Sequence, residues 1–131
     1  MAGIIHISRA ASLAIHSVLV IKRSDNRLNA TQIAGKLNAS AHHVAKILQK
    51  MARHDILTSQ KGPYGGFSLN RAENDISLLE IYELIEGPLD DHACPEHEED
   101  CPFGECLWGN FGKHTSQNFK TFLNEKRLSD F

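Results

Sequence analysis

Three cysteines, Cys94, Cys101 and Cys106, fall within thirteen residues, with six residues between the first two and four between the last two. Thiolates are soft ligands suited to iron–sulfur clusters or zinc, and three on one loop can converge on a single site. An odd number of closely spaced cysteines argues against a disulfide framework and for metal, cluster or redox chemistry. His92 and His97 in the same stretch offer a zinc alternative together with Cys101 and Cys106. Glu96, Glu98, Glu99, Asp100 and Glu105 surround the thiols, a setting that a bound cation complements. Three reduced thiols with no ligand role are the remaining reading. A fourth ligand is required, and the spacing does not supply it.

A second concentration of chemistry lies at the other end of the chain. The formal net charge is only −2, with 14 Lys/Arg against 16 Asp/Glu. Residues 1–71, however, carry ten Lys/Arg and only Asp25 and Asp55, a balance of +8, while residues 72–131 carry four against fourteen, a balance of −10. A basic first half joined to an acidic second half expects a polyanion at the first. The cations are also placed in order. A helix opening at Ser40 carries His42, His43 and Lys46 near its start, then Lys50 and Arg53, and Lys61 heads a glycine-rich turn. A recognition helix enters the major groove by its N-terminal end, so His42, His43 and Lys46 are candidates for base edges. Ser40, Lys50 and Arg53 suit phosphates, and Lys61 suits a phosphate or the minor groove.

The elements that must position these residues follow from periodicity. Ala11, Ile15, Val18 and Leu19 recur at helical spacing behind a Ser8 cap, and the pattern breaks at Asp25-Asn26. Asn29 and Gln32 form a capping-box pair before Ile33, Ala34 and Leu37. Asn38-Ala39 turns the chain into the Ser40 helix, whose Val44, Ile47, Leu48 and Met51 make an apolar stripe. Two short helices across so short a turn form a helix-turn-helix. After Asp55 the period drops to two: 56–60 and 67–69 read as strands around Lys61-Gly62-Pro63-Tyr64-Gly65-Gly66, a hairpin placed as a wing. Ser77-Leu78-Leu79-Glu80 opens another helix with a capping-box pattern, burying Leu78, Ile81, Tyr82 and Ile85 and ending at Gly87-Pro88. An acidic loop, residues 90–104, bears Cys94 and Cys101. A long amphipathic helix is expected over 107–126 despite Gly109 and Gly112, with Trp108, Phe111, Phe119, Phe122 and Leu123 as its apolar positions. So small a protein has little core for that stripe, which points to a partner chain and a homodimer.

The run Lys61-Gly62-Pro63-Tyr64-Gly65-Gly66-Phe67-Ser68-Leu69-Asn70-Arg71, followed by Ile76-Ser77-Leu78 and Glu86-Gly87, closely resembles the wing and following helix of the IscR/NsrR-type winged-helix regulators (the Rrf-two family). The cysteine triplet and the closing Arg127-Leu128-Ser129-Asp130-Phe131 are similar as well, so the resemblance covers nearly the whole chain. It implies a homodimeric bacterial regulator of transcription whose long C-terminal helices cross in the dimer. It also implies an iron–sulfur cluster, 2Fe–2S or 4Fe–4S, that switches DNA binding. Some members take a non-cysteine ligand just after the third cysteine, where this chain has Leu107, Trp108 and Gly109. Others take it from the partner's first helix, which on the Ala11-Ser12-Leu13-Ala14-Ile15-His16 run points to Ser12 or His16. His16 carries the imidazole suited to the role. Two departures stand out: Lys61 replaces the family's usual arginine and loses its planar fork, and His42-His43 replaces Ser-Tyr.

The expected architecture is mainly α with a small β-hairpin wing: a winged helix-turn-helix over 1–71, then a cysteine-bearing loop and dimerisation helix over 72–131. Its partners are a double-stranded DNA operator and a second copy. No Cys-x-x-Cys, His-Glu-x-x-His or phosphate-cradling Gly-Lys-Ser/Thr is present, so an enzyme is not expected. With no secretory pattern and no apolar run near the ~18 residues of a membrane span, a cytoplasmic protein is expected. A repressor with no cofactor, in which the cysteine loop merely connects, is the competing reading.

Overall fold

The computed structural model describes residues 7–89 and 101–131. Helix α1 (Arg9–Lys22) starts where the Ser8 hydroxyl accepts the Ala11 N–H at 3.0 Å. Helix α2 (Ala30–Leu37) opens with a complete capping box: Asn29 Oδ1 accepts the Gln32 N–H at 2.8 Å, and Gln32 Oε1 accepts the Asn29 N–H at 2.9 Å. Asn38 ends it in the left-handed region at φ 50°, which turns the chain within three residues into α3 (Ala41–Arg53). A short side chain able to bond its own backbone tolerates that conformation. Strands β1 (Leu57–Gln60) and β2 (Gly66–Leu69) pair antiparallel, Leu57 opposite Leu69 and Gln60 opposite Gly66. Helix α4 (Leu78–Glu86) follows a short 3-10 turn, and α5 (Phe111–Glu125) precedes a second turn at Leu128–Asp130.

Helix α1 is the central element, packing on α2, α3 and α4 and on β2. One apolar core runs from Leu13 and Val18 through Ile33, Val44, Leu48 and Met51 to Ile76, Ile81 and Leu128. Each such fully buried side chain contributes about 1.5–3 kcal/mol relative to exposure. The helix-turn-helix is therefore anchored to one core, and residues on the opposite side of α3 are exposed.

Several expectations are corrected. The C-terminal helix begins at Phe111, not Leu107, because Gly109 takes φ +53° and residues 107–110 form turns through Gly109 N–H to Cys106 carbonyl (3.0 Å) and Phe111 N–H to Trp108 carbonyl (3.1 Å). Gly112, buried inside the helix, does not interrupt it. At α4 the Ser77 hydroxyl accepts the Glu80 N–H, but the Glu80 carboxylate turns to Arg71 at 2.5 Å instead of completing a capping box. Tyr82 and Ile85 are half-buried, because α5 covers only part of that face. Two long-range pairings have no local signal: Leu28 bridges Phe67, adding a third short edge to the wing, and Ser77 bridges Arg127. The second pairing seats Leu128 fully in the core, with its N–H on the Ile76 carbonyl at 3.1 Å.

Candidate nucleic-acid interface

Helix α3 divides sharply by face. Val44, Ile47, Leu48 and Met51 are buried. At about 100° per residue, His42, Lys46, Gln49, Lys50 and Arg53 share the opposite side. His42, Lys46, Gln49 and Arg53 are exposed and Lys50 is half-buried. His43 lies on the flank between the two faces and is half-buried, so it is less available than its neighbour. Ser40 accepts the His43 N–H at 3.4 Å, which fixes the start of α3 and leaves the hydroxyl proton free to donate outward.

The wing follows directly. Lys61 is exposed at the first position after β1. Its turn is closed by the Gly65 N–H on the Gly62 carbonyl at 2.9 Å. A Cβ at Gly65 would sit 2.3 Å from the Gln60 carbonyl oxygen, so the two arms approach closer than any side chain permits. Tyr64, which no periodicity singles out, is 91% exposed at the tip. The signal available in the sequence is its position between Pro63 and the glycine pair. Neither α3's outer face nor the wing carries an acidic residue: none occurs from Ser40 to Arg53, nor from Ile56 to Ala72.

The cysteine region is only partly within the described residues. Cys101 is half-buried and Cys106 exposed, both as free thiols. Cys94, His92 and His97 lie outside the described residues. Among the described residues, no three His, Cys, Asp or Glu side chains gather closely enough to hold an ion. His16 is exposed on α1, with Nδ1 2.7 Å from the Ser12 carbonyl oxygen. In the neutral tautomer that donates Nδ1–H to this acceptor, Nε2 is the ring nitrogen open to a metal.

The C-terminal end of α4 is tied to the head of α1. Just beyond α4 the Leu89 N–H donates to the Glu83 carboxylate at 3.1 Å, and the Ser8 hydroxyl at the head of α1 donates to Glu86. Helix α4 touches α5 through Tyr82 and Phe119, edge to face at 5.4 Å. Burial, then the charge of Glu86, raises the Tyr82 hydroxyl above its ordinary pKa. Only Gly112 and Leu123 of α5 are buried, while Phe111 and Phe122 are 68% and 54% exposed and Trp108 lies open before them. Among the described residues, no helix is long and apolar enough to cross a membrane.

A family model named Rrf2 and described as an iron-dependent transcriptional regulator matches residues 7–131. The HTH-type transcriptional regulator BadM of Rhodopseudomonas palustris is 29% identical over 97 residues, covering 71% of this chain and 62% of that protein. The chain spans about half to two thirds of the length of the curated relatives it matches first. Among solved structures, CymR, the global cysteine regulator of B. subtilis, superposes with a TM-score of 0.77 at 22% identity, covering 97% of this chain and 95% of its own. The IscR of T. potens does so at 0.77 and 15% identity, covering 96% and 85%. At such identities the likeness establishes the fold.

Proposed function

This chain belongs to the Rrf2 family of transcriptional regulators, and from that premise we propose that it is a repressor that binds operator DNA as a homodimer and answers to the state of its cysteine loop. The observation that carries the reading is the outer face of α3, where His42, Lys46, Lys50 and Arg53 share one side with no carboxylate among them. His42 and Lys46 take base edges in the major groove, with His43 beside them at the rim. Ser40, Lys50 and Arg53 hold phosphates, and Lys61 reaches a phosphate or the minor groove from the wing. Homodimer formation is supported by the uncovered Phe111 and Phe122 on α5, which a second copy would bury.

Cys94, Cys101 and Cys106 supply a soft donor set for an iron–sulfur cluster, with zinc as the alternative occupant. The accessible thiol of Cys106 and the free Nε2 of His16 fit that donor chemistry. His16 serves across the dimer as the fourth ligand, from the partner's α1. When bound, an iron–sulfur cluster would supply redox-active iron held by those thiolates and that imidazole. Within the chain, a change in the loop acts on α4 through Leu89 and Glu83, and Glu86 hands it to Ser8 at the head of α1. It passes from α4 to α1, which supports α3, and to α5, which sets the separation of the two copies. Two recognition helices must meet half-sites about 34 Å apart, so a small change in that separation alters affinity. A coupling of 1–3 kcal/mol, about 5–150-fold, is the ordinary range.

The test begins with protein purified without oxygen, its metal content and its visible spectrum. A duplex is then selected by that protein from a random-sequence pool. Its affinity is measured for loaded protein, metal-free protein and Cys101→Ala. Affinities that differ several-fold with loading, and a variant that stays in one state, support the sensor. Equal affinities remove the sensor and leave a cofactor-free repressor.

A further inference from the structure

The tip of the wing carries an aromatic side chain that neither the charge map nor the apolar core uses. We infer that Tyr64 is a DNA-contacting residue whose ring lies against the deoxyribose wall of the minor groove while Lys61 meets the adjoining phosphate. The inference rests on the DNA-binding reading above and adds to it a contact made through apolar surface. A single exposed aromatic needs no explanation in general. Here its placement matters.

Tyr64 stands on a tip whose base is fixed by close backbone approaches at Gly65 and Gly66. The Gly65 N–H closes the turn onto the Gly62 carbonyl, and β2 begins at Gly66 pressed against the Leu28 backbone, with 2.6 Å left to a Cβ. The hairpin below it is held by Phe67, which is buried, while the Tyr64 ring is exposed. Beside the ring is an open cleft of about 660 Å³ between the wing and the α1–α2 connection, lined also by Lys22, Asp25, Arg27, Asn29 and Gln32. The ring is thus presented outward, three residues from Lys61, on a stretch with no carboxylate from Ile56 to Ala72.

That pairing of an apolar ring and a cation suits the minor groove. Its walls are sugar C–H groups, its rim is phosphate, and its negative potential draws inserted cations. A tyrosine loses little conformational freedom on binding, having two side-chain torsions, and its ring brings a large contact area. A protein partner for the same ring is the alternative that the experiment separates.

The full-length chain first selects a duplex from a random pool. Wild type, Tyr64→Phe, Tyr64→Ala and Lys61→Ala are then compared on it by fluorescence anisotropy across salt concentrations and by hydroxyl-radical footprinting, which reports sugar accessibility. Tyr64 touches no core, so its variants keep the fold, checked by circular dichroism. Tyr64→Ala is expected to weaken binding about tenfold with an unchanged salt slope and to lose sugar protection at the wing's position. Tyr64→Phe stays within about twofold, because the ring is retained. Lys61→Ala lowers the salt slope by about one. Wild-type affinity and protection in Tyr64→Ala overturn the inference and leave the ring to another partner. A Tyr64→Phe variant as weak as Tyr64→Ala overturns it too, since the contact would then be the hydroxyl's. If wild type selects no duplex at all, the DNA-binding reading itself falls.

Discussion

Replacing Gly66 by alanine should cost far more than its one methyl suggests. Gly66 has φ +141°, a conformation L-residues avoid, and its Cβ would lie 2.6 Å from both the carbonyl carbon and oxygen of Leu28 and 3.0 Å from the Asn29 nitrogen. All three are backbone atoms, so no rotamer change relieves the clash. The Leu28 segment must retreat, and the bridge it makes to Phe67, a 2.8 Å bond from the Phe67 N–H and a 3.4 Å bond from the Leu28 N–H, lengthens or opens. Backbone strain of about 1–2 kcal/mol and overpacking of about 1–3 kcal/mol add to about 2–5 kcal/mol. That is a large share of the 5–15 kcal/mol stability typical of a domain. Urea denaturation followed by circular dichroism gives the total, and hydrogen exchange at the Leu28 and Phe67 amides locates it. Two companions isolate the cause. Gly62→Ala, at φ +107° with nothing within 4 Å, bears only the strain and costs about 1–2 kcal/mol. Gly35→Ala, in α2 with nothing within 4 Å, stabilises by about 0.5–1 kcal/mol. Equal losses for Gly66→Ala and Gly62→Ala, or unchanged exchange at Phe67, would refute the reasoning from close approach.

Phe122→Lys on the open side of α5 should convert a dimer to a monomer in analytical ultracentrifugation while the monomer keeps its helical spectrum; an undiminished dimer would place the interface elsewhere. Lys50→Ala should weaken binding to a selected duplex and lower the salt slope by about one, measured by anisotropy; an unchanged slope would mean that Lys50 meets no phosphate. Asn29→Ala removes the acceptor for the Gln32 N–H and should cost about 1 kcal/mol in urea denaturation. The Tyr82 hydroxyl, raised by burial and by Glu86, holds its proton more tightly in the folded chain than in the unfolded one. The stability tied to that proton is intact below the ordinary value of 10.0 and is lost as pH climbs through the raised value. Tyr82→Phe should flatten that alkaline decline in thermal melts.

Residue order alone specifies the features that neighbours within about four residues decide. The caps at Ser8, Asn29 and Ser40, the apolar stripe of α3 and the glycine-rich wing depend on bonds and periodicities of that range, and each stands where the pattern places it. The family, too, was legible, since the wing run and the cysteine spacing are local motifs. The remaining features involve partners far apart in the chain. The Leu28–Phe67 bridge, the return of Leu128 to the core beside Ile76 and the choice of Arg71 by Glu80 carry no periodic trace. The same holds for α5, whose apolar stripe is divided: Leu123 is buried and Phe119 packs on Tyr82, while Phe111 and Phe122 remain outside. Hydrophobic spacing reports that a face must be covered, but coverage is settled by which surface arrives. Closing a loop of dozens of residues to deliver that surface is an entropic cost that only the assembled fold repays.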